Sequence, residues 1–275
     1  VQALLGDDQV IPLRHDHNPG FHGVAPEPIA DRLGALSDTV ATSEASVGLA
    51  NDGDADRIGM VDENGAFVSS HRILALLVKY LHEERGLTGS IVKTFSTTHL
   101  LDKMGARYDL PVETTPIGFK HIAKKMAEGN VLVGGEESGG IAAMGHIPER
   151  DGVYIGLLIV EMMVERGLPL SALVDELLEE FGPHYNYRDD IHIREDQKAD
   201  VLDRLDTQGG LDGINGHAVE RVDTLDGFKH VTDHGWLLIR PSGTEPVLRV
   251  YSEAESPNAA EALVKDASRQ LGLDA

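Results

Sequence analysis

Asp52, Asp54 and Asp56 alternate with small residues in "LANDGDADRIGMV", and Arg57 follows at once. Side chains two apart on an extended loop can converge on one ion. Their carboxylate oxygens are hard donors that select Mg2+ or Ca2+ over softer metals. A solvated acidic turn is the plain alternative, and it weakens when the run sits between two apolar strands. An EF-hand is a second alternative, since Glu63 falls at the twelfth position counted from Asp52. It fails because Arg57 holds the sixth position, where that loop needs Gly, and because strands rather than helices flank the run. A loop for a divalent cation remains.

Two more loops have chemistry in their spacing. "GGEESGG" (134–140) follows an apolar strand, at the carboxyl end where open α/β sheets place ligands. Its glycines admit close approach, while Glu136 and Ser138 offer an acceptor and a hydroxyl on one side of an extended loop. Sugar hydroxyls need such mixed partners; a Gly-rich turn with an exposed Glu is the simpler reading. In "RPSGTEPVLRV" (240–250), Arg240 and Arg249 frame a Ser242-Gly243-Thr244 turn. Guanidinium groups, hydroxyls and backbone N–H groups together make an anion nest suited to a phosphate, against the alternative of a surface hairpin.

These loops need elements to hold them. Short strands are expected at 47–50 and 58–61, after a helix near 28–40 with apolar residues at Ile29, Leu33 and Leu36. The first ten residues read as a helix end and a turn entering a strand. From Ser69 the apolar spacing predicts a helix to about Arg85. Strands "SIVKTF", "YDLPVET" and "VLVGGEE" then alternate with helices "THLLDKMGA" and "FKHIAKKMAEG". Helices over 153–166 and 170–181 follow. This alternation implies a largely parallel, covered sheet. Beyond Phe181 the pattern becomes polar–apolar alternation, one helix, three strands with turns, and a closing helix over 257–271, which is α+β with an antiparallel sheet.

Composition limits the partners. The formal charge is −22, from 24 basic and 46 acidic residues. Such a surface repels nucleic-acid phosphates and anionic membranes, so an anionic substrate requires basic residues gathered locally. Cysteine is absent, which removes disulfides and thiolate metal sites. No apolar run approaches a membrane span and no signal-peptide pattern opens the chain, so a cytoplasmic location is expected.

With "TPIGFKHI" between the first two, these loops in this order resemble the α-D-phosphohexomutase family, which includes phosphoglucomutase, phosphomannomutase and phosphoglucosamine mutase. The resemblance runs from "PEP" (26–28) to "RVYSEA" (249–254). It implies α/β domains with mixed sheets, the first incomplete, then a smaller α+β domain with an antiparallel sheet. Residues 1–67 would be the end of the metal-binding second domain, 68–183 the sugar-binding third and 184–275 the phosphate-binding fourth. By the same resemblance Asp52, Asp54 and Asp56 would be Mg2+ ligands with Arg57 beside the metal-bound phosphate. Lys120 would contact substrate, and Glu136 with Ser138 would grip sugar hydroxyls. Arg240, Ser242, Gly243, Thr244 and Arg249 would hold the non-reacting phosphate. The reaction implied is interconversion of hexose 1-phosphate and hexose 6-phosphate through a phosphoserine and a bisphosphorylated sugar. "GFK" and "GEES" lean away from the glucosamine branch, making glucose the first choice and mannose the next.

One departure matters. The family's serine lies in a T-A-S-H-N-P-like segment, and no such segment occurs here. "HDHNPG" (15–20) places Asp16 where that serine would stand and reads as a strand-exit turn. The expectation is a chain that begins partway through the second domain and does not turn over by itself. A non-catalytic phosphosugar- or metal-binding module is the alternative, and a calcium-binding structural protein a more distant one.

Overall fold

The structure is a computed structural model that describes residues 1–243 and 245–273. The chain divides into two compact units, Val1–Phe181 and Gly182–Ala275.

The first unit opens with a one-turn helix α1 (Gln2–Leu5) and several 3-10 turns, then α2 (Gly34–Thr42). Strands β1 (Gly48–Asn51), β2 (Ile58–Val61) and β3 (Phe67–Val68) form an antiparallel meander. The strand expected after Val10 does not form; among the described residues the first strand begins at Gly48. A strand needs a ladder partner, and Leu4, Ile11 and Leu13 stay exposed here. "HDHNPG" is therefore a turn without a strand to exit, closed by Gly20 N–H donating to Asn18 Oδ1. Helix α2 starts later than its apolar spacing suggests: Ile29 is extended and a 3-10 turn over Ala30–Arg32 intervenes.

Next come α3 (Ser70–Lys79), which runs on as a π-turn over Tyr80–Glu84, β4 (Ser90–Thr94), α4 (Leu100–Tyr108), β5 (Val112–Thr115), α5 (Phe119–Glu128), β6 (Val131–Gly135) and β7 (Ile141–Ala143). The sheet order is β5-β4-β6-β7, with β4 parallel to both β5 and β6, and β7 antiparallel to β6. Every residue of β4 and β6 is buried, as a parallel strand covered on both faces requires. Helix α3 buries nearly all of its circumference because it is central: Ile73 to Val78 join one core with Met60, Val68, Ile91 and Val133. Helices α6 (Gly152–Arg166) and α7 (Leu170–Phe181) complete this core. Asp151 starts α6 as its N-cap, accepting from the Tyr154 N–H at 2.9 Å. His146 Nε2 donates to the Asp151 carboxylate at 2.8 Å and its ring stacks on Tyr154, so it supports that cap.

The second unit contains β8 (Tyr185–His192), α8 (Glu195–Gln208), the small ladder β9 (Gly213–Ile214) with β10 (His217–Ala218), then β11 (Arg221–Asp223), β12 (Phe228–Thr232), β13 (Gly235–Pro241), β14 (Val247–Ala254) and α9 (Pro257–Leu271). Its five-stranded sheet is antiparallel throughout, ordered β11-β12-β13-β14-β8. Helix α9 is started by Ser256, whose hydroxyl accepts from the Ala259 N–H, with Pro257 at the first helical position.

One glycine fixes the approach of two loops. Gly139 has φ of 95°, and a Cβ there would stand 2.4 Å from the Ile58 carbonyl oxygen. The Ile58 N–H donates to the Gly139 carbonyl at 3.0 Å, and Arg57 pairs with Gly140 in an antiparallel bridge. Gly139→Ala therefore combines left-handed strain with a backbone clash and should cost about 2–4 kcal/mol. Gly86→Ala, with φ of 64° and open space around it, is the control and should cost about 1 kcal/mol. Urea unfolding of the full chain measures both; equal costs would mean the close approach at Gly139 contributes nothing.

Candidate functional site

The acidic loop is the turn between β1 and β2. Ala55 at φ of 63° and the Asn51 amide, which donates to the Arg57 carbonyl at 2.9 Å, fold it back on itself. Gly152 at the start of α6 donates its N–H to the Ala55 carbonyl at 3.0 Å and pins the tip. Asp52, Asp54 and Asp56 each bring a carboxylate oxygen to within 4.8 Å of the others. The loop thus gathers hard oxygen donors at one point, and this donor set fits a divalent cation such as Mg2+.

The carboxylates are also held from outside. Arg57 donates to Asp52 twice, from its backbone N–H at 3.1 Å and from Nε at 2.5 Å. Burial pulls the Asp52 carboxyl upward, but those bonds and the guanidinium charge outweigh it and hold its pKa below the usual value. Asp56 goes the other way. Burial raises it, Asp52 and Asp54 add repulsion, and the Arg150 guanidinium at 2.5 Å offsets only part.

Arg150 was not singled out in the sequence, and it joins two of the loops that were. One of its nitrogens meets Asp56; another lies 3.6 Å from Glu136 Oε2. Its guanidinium also lies over the Phe119 ring, 5.3 Å from the centroid. The signal was available: cations are scarce in this chain, and Arg150 directly precedes the helix cap Asp151.

Glu136 follows β6 and is 6% exposed. Its Oε1 accepts from the Gly118 N–H at 3.1 Å, which draws the "GFK" segment to the same place. Burial, with the Glu137 charge adding, pushes its carboxyl up to about 7, while Arg150 and the Gly118 N–H pull the other way. Its neighbour Glu137 takes different partners, accepting from Thr94 Oγ1 at the end of β4 at 3.2 Å and from Ser96 Oγ just beyond it at 2.5 Å. Ser138 is half-buried in the turn closed by Gly139 N–H and the Glu136 carbonyl. Lys120 is exposed in the first turn of α5. A cavity of about 620 Å³ is lined among others by His17, Phe21, Arg32, Asn51, Asp52 and Gly53.

The Arg-Ser-Gly loop belongs to the second unit. Arg240 and Arg249 are directly opposed on β13 and β14. Arg240 Nε donates to Asp226 at 3.0 Å, and Arg249 donates to Glu245 at 3.0 Å. Ser242 is buried; its hydroxyl accepts from the Glu245 N–H, and its own N–H donates to the Val247 carbonyl. Lys198 on α8, also unforeseen, donates to the Ser242 and Glu245 carbonyls at 2.7 and 3.0 Å and braces the turn. Gly243 lies in the same turn, and a Cβ there would meet nothing within 4 Å. Thr244 lies outside the described residues.

Fold and site together define an α/β protein in which an acidic cation loop is built against a Gly-rich, carboxyl-bearing loop. Three domain models of one family match it: phosphoglucomutase/phosphomannomutase alpha/beta/alpha domain II over residues 1–65, alpha/beta/alpha domain III over 69–181 and the C-terminal domain over 193–270. A phosphoglucomutase/phosphomannomutase of Thermococcus kodakarensis is 36% identical over 235 residues, covering 86% of this chain and 49% of that protein. A probable phosphoglucosamine mutase of Methanopyrus kandleri is 32% identical over 255 residues, covering 93% and 54%. The crystal structure of a putative phosphomannomutase from Thermus thermophilus superposes with a TM-score of 0.81 at 36% identity, over 95% of this chain and 54% of that one. The chain belongs to the α-D-phosphohexomutase family. It spans about half the length of the curated relatives it matches.

The Glu136 environment carries a pH signature. Its folded carboxyl titrates near 7 and its unfolded one near the ordinary 4.5. The native state therefore binds more protons between those values, and stability falls as pH rises through that window. Glu136→Gln removes the charge and should stabilise the chain by up to about 3 kcal/mol near pH 8, the gain vanishing towards pH 4. Urea unfolding of both chains across that range, with chelator present, checks it. A gain independent of pH would mean that the carboxyl ionises normally.

Proposed function

We propose that these residues carry the metal-, sugar- and phosphate-binding parts of a phosphohexomutase that interconverts hexose 1-phosphate and hexose 6-phosphate. Residues 1–67 are the end of its second domain, 68–183 its third and 184–275 its fourth, in a cytoplasmic enzyme. The observation that carries this reading is the Asp56–Arg150–Glu136 link, which makes the cation loop and the hydroxyl-recognition loop one electrostatic unit.

Asp52, Asp54 and Asp56 are the groups that would hold Mg2+, which when bound supplies positive charge to a phosphoryl group in transfer. Arg57, anchored by Asp52, adds a guanidinium at the rim of that loop. Lys120 presents an exposed ammonium on the first turn of α5 and would meet substrate oxygens. Glu136 and Ser138 take the sugar hydroxyls. A carboxyl poised near 7 either donates its proton in a hydrogen bond to a hydroxyl oxygen or, ionised, accepts from the hydroxyl. Such a group serves a sugar that is presented in two orientations.

The clamp for the non-reacting phosphate is Arg240, Ser242, Gly243 and Arg249, and Thr244 shares that role. Support comes from the opposed arginines: two guanidinium groups stand across one strand pair, and a phosphate could take the place of the exposed Glu245 on Arg249. The phosphoryl donor is a phosphoserine outside these sequence motifs. Transfer of its phosphoryl group to a sugar oxygen gives a bisphosphorylated sugar, and return of the other phosphate to the serine completes the cycle. Glucose is the first sugar and mannose the next; the relatives named for glucosamine make that sugar the third arm of any assay.

Two outcomes test the reading. Asp54→Ala should weaken Mg2+ binding by roughly tenfold or more in calorimetric titration; an unchanged affinity would remove the metal assignment. The 275-residue chain should bind glucose 1-phosphate, more weakly after Arg249→Ala, yet show no interconversion in a coupled assay. Robust turnover would sink the assignment of the missing serine. Saturable binding of phosphate alone, with no sugar contribution, would favour the non-catalytic module.

A further inference from the structure

Outside the family's loops, the second unit gathers His217, Asp233 and His234, each offering one ligand atom within 4.8 Å of the others. We propose that these three side chains form a second metal site, selective for a borderline divalent cation such as Zn2+ and distinct from the acidic loop.

The donor set decides the metal. Two imidazole nitrogens and one carboxylate oxygen suit Zn2+, Ni2+ or Cu2+, and they discriminate against Mg2+, which demands oxygen ligands. A tetrahedral Zn2+ takes His nitrogens and carboxylate oxygens at about 2.0–2.2 Å, so its ligand atoms lie somewhat over 3 Å apart. The three ligand atoms, all within 4.8 Å of one another, would close up by side-chain rotation to reach that.

Within the cluster the present contacts of the carboxylate are long. Asp233 lies 3.6 Å from His217 Nδ1 and 3.5 Å from His234 Nε2, both longer than ordinary hydrogen bonds. The two imidazoles lean on each other, with centroids 4.2 Å apart and planes at 48°. A cation between the three would turn two long contacts into metal–ligand bonds.

The scaffold holds the ligands still. Asp233 and His234 form the β12–β13 turn, where the Thr232 hydroxyl donates to the Gly235 carbonyl and accepts the His234 N–H, both at 3.2 Å. His217 opens β10, after a turn with Asn215 and Gly216 at φ of 50° and 83°. The Asn215 N–H donates to Asp266 of α9 at 2.7 Å, which fixes that turn. Ligands therefore come from two separately anchored turns, and metal would tie them together. His217 is one-third exposed and His234 half exposed, so the remaining coordination positions are open to water.

The test is titration of Zn2+ alone into the full chain carrying Asp52→Asn and Asp54→Asn, which silences the acidic loop. One site is expected, with affinity lowered roughly tenfold or more by His217→Ala with His234→Ala. Excess Mg2+ should leave it occupied, and His15→Ala with His17→Ala should not change it. Thermal unfolding should show a Zn2+-dependent rise in Tm that the double-histidine variant lacks. Asp233→Asn, which keeps both imidazoles, is the second variant should the first fold poorly, and it too should weaken binding. Zn2+ affinity within twofold of the parent in folded variants overturns the proposal. Loss of Mg2+ binding at the acidic loop leaves this result untouched, so the two sites fail separately.

Discussion

The Arg150 guanidinium, held between Asp56 and Glu136, is the contact on which the first unit's site depends. A chain with formal charge −22 has brought acidic residues from two loops to one place, at a cost in repulsion. Without a cation there, Asp56 and the nearly buried Glu136 would face each other unscreened. The consequences appear in opposite directions. Asp52, tied to Arg57, stays ionised more readily than usual, while Asp56 and Glu136 resist ionisation because burial outweighs what Arg150 returns. Carboxyls within one constellation thus shift in opposite directions, set by which arginine each meets and how far it is buried.

The backbone makes that contact obligatory. The Arg57–Gly140 bridge, the Ile58–Gly139 hydrogen bond and the Gly152 N–H on Ala55 lock the β1–β2 turn against the loop after β6 and the start of α6. Arg150 sits just before that helix, so the same geometry that seats α6 delivers the guanidinium. Packing and electrostatics are therefore not independent here. The apolar core beneath, from Ile58 and Met60 through Ile155 and Ile159, keeps the loops in register.

Much of this was legible in the sequence, for reasons that can be named. Alternation of strand and helix with apolar runs gave the parallel part of the second sheet, and period-two alternation after Phe181 gave the antiparallel one. The three loops stood out because their residue types are chemically unusual in sequence-local runs. What escaped was everything carried by residues distant in sequence. Arg150 and Lys198 act on loops that their own neighbourhoods do not mention. The late start of α2 and the missing strand after Val10 escaped for a related reason. Local spacing reports a preference, while a strand exists only if another strand pairs with it.

The second unit shows the same logic with the sign reversed. Arg240 and Arg249 stand opposite each other on β13 and β14, where like charges are unfavourable. Arg240 meets Asp226, while Arg249 meets Glu245 and lies 3.9 Å from Asp190, its opposite residue on β8. Glu245 is more than half exposed, so its hold on Arg249 is the weaker kind of ion pair that an incoming anion can displace. Asp226 is far less exposed and keeps Arg240 oriented. Lys198 meanwhile spends its charge on two carbonyls of the turn rather than on a ligand. Arg240 is thereby held by one partner, Arg249 has one exposed partner that can be exchanged, and the turn between them is braced. That division would suit the anion clamp proposed for this turn: enough preorganisation to aim the donors, and one partner that gives way when a stronger acceptor arrives.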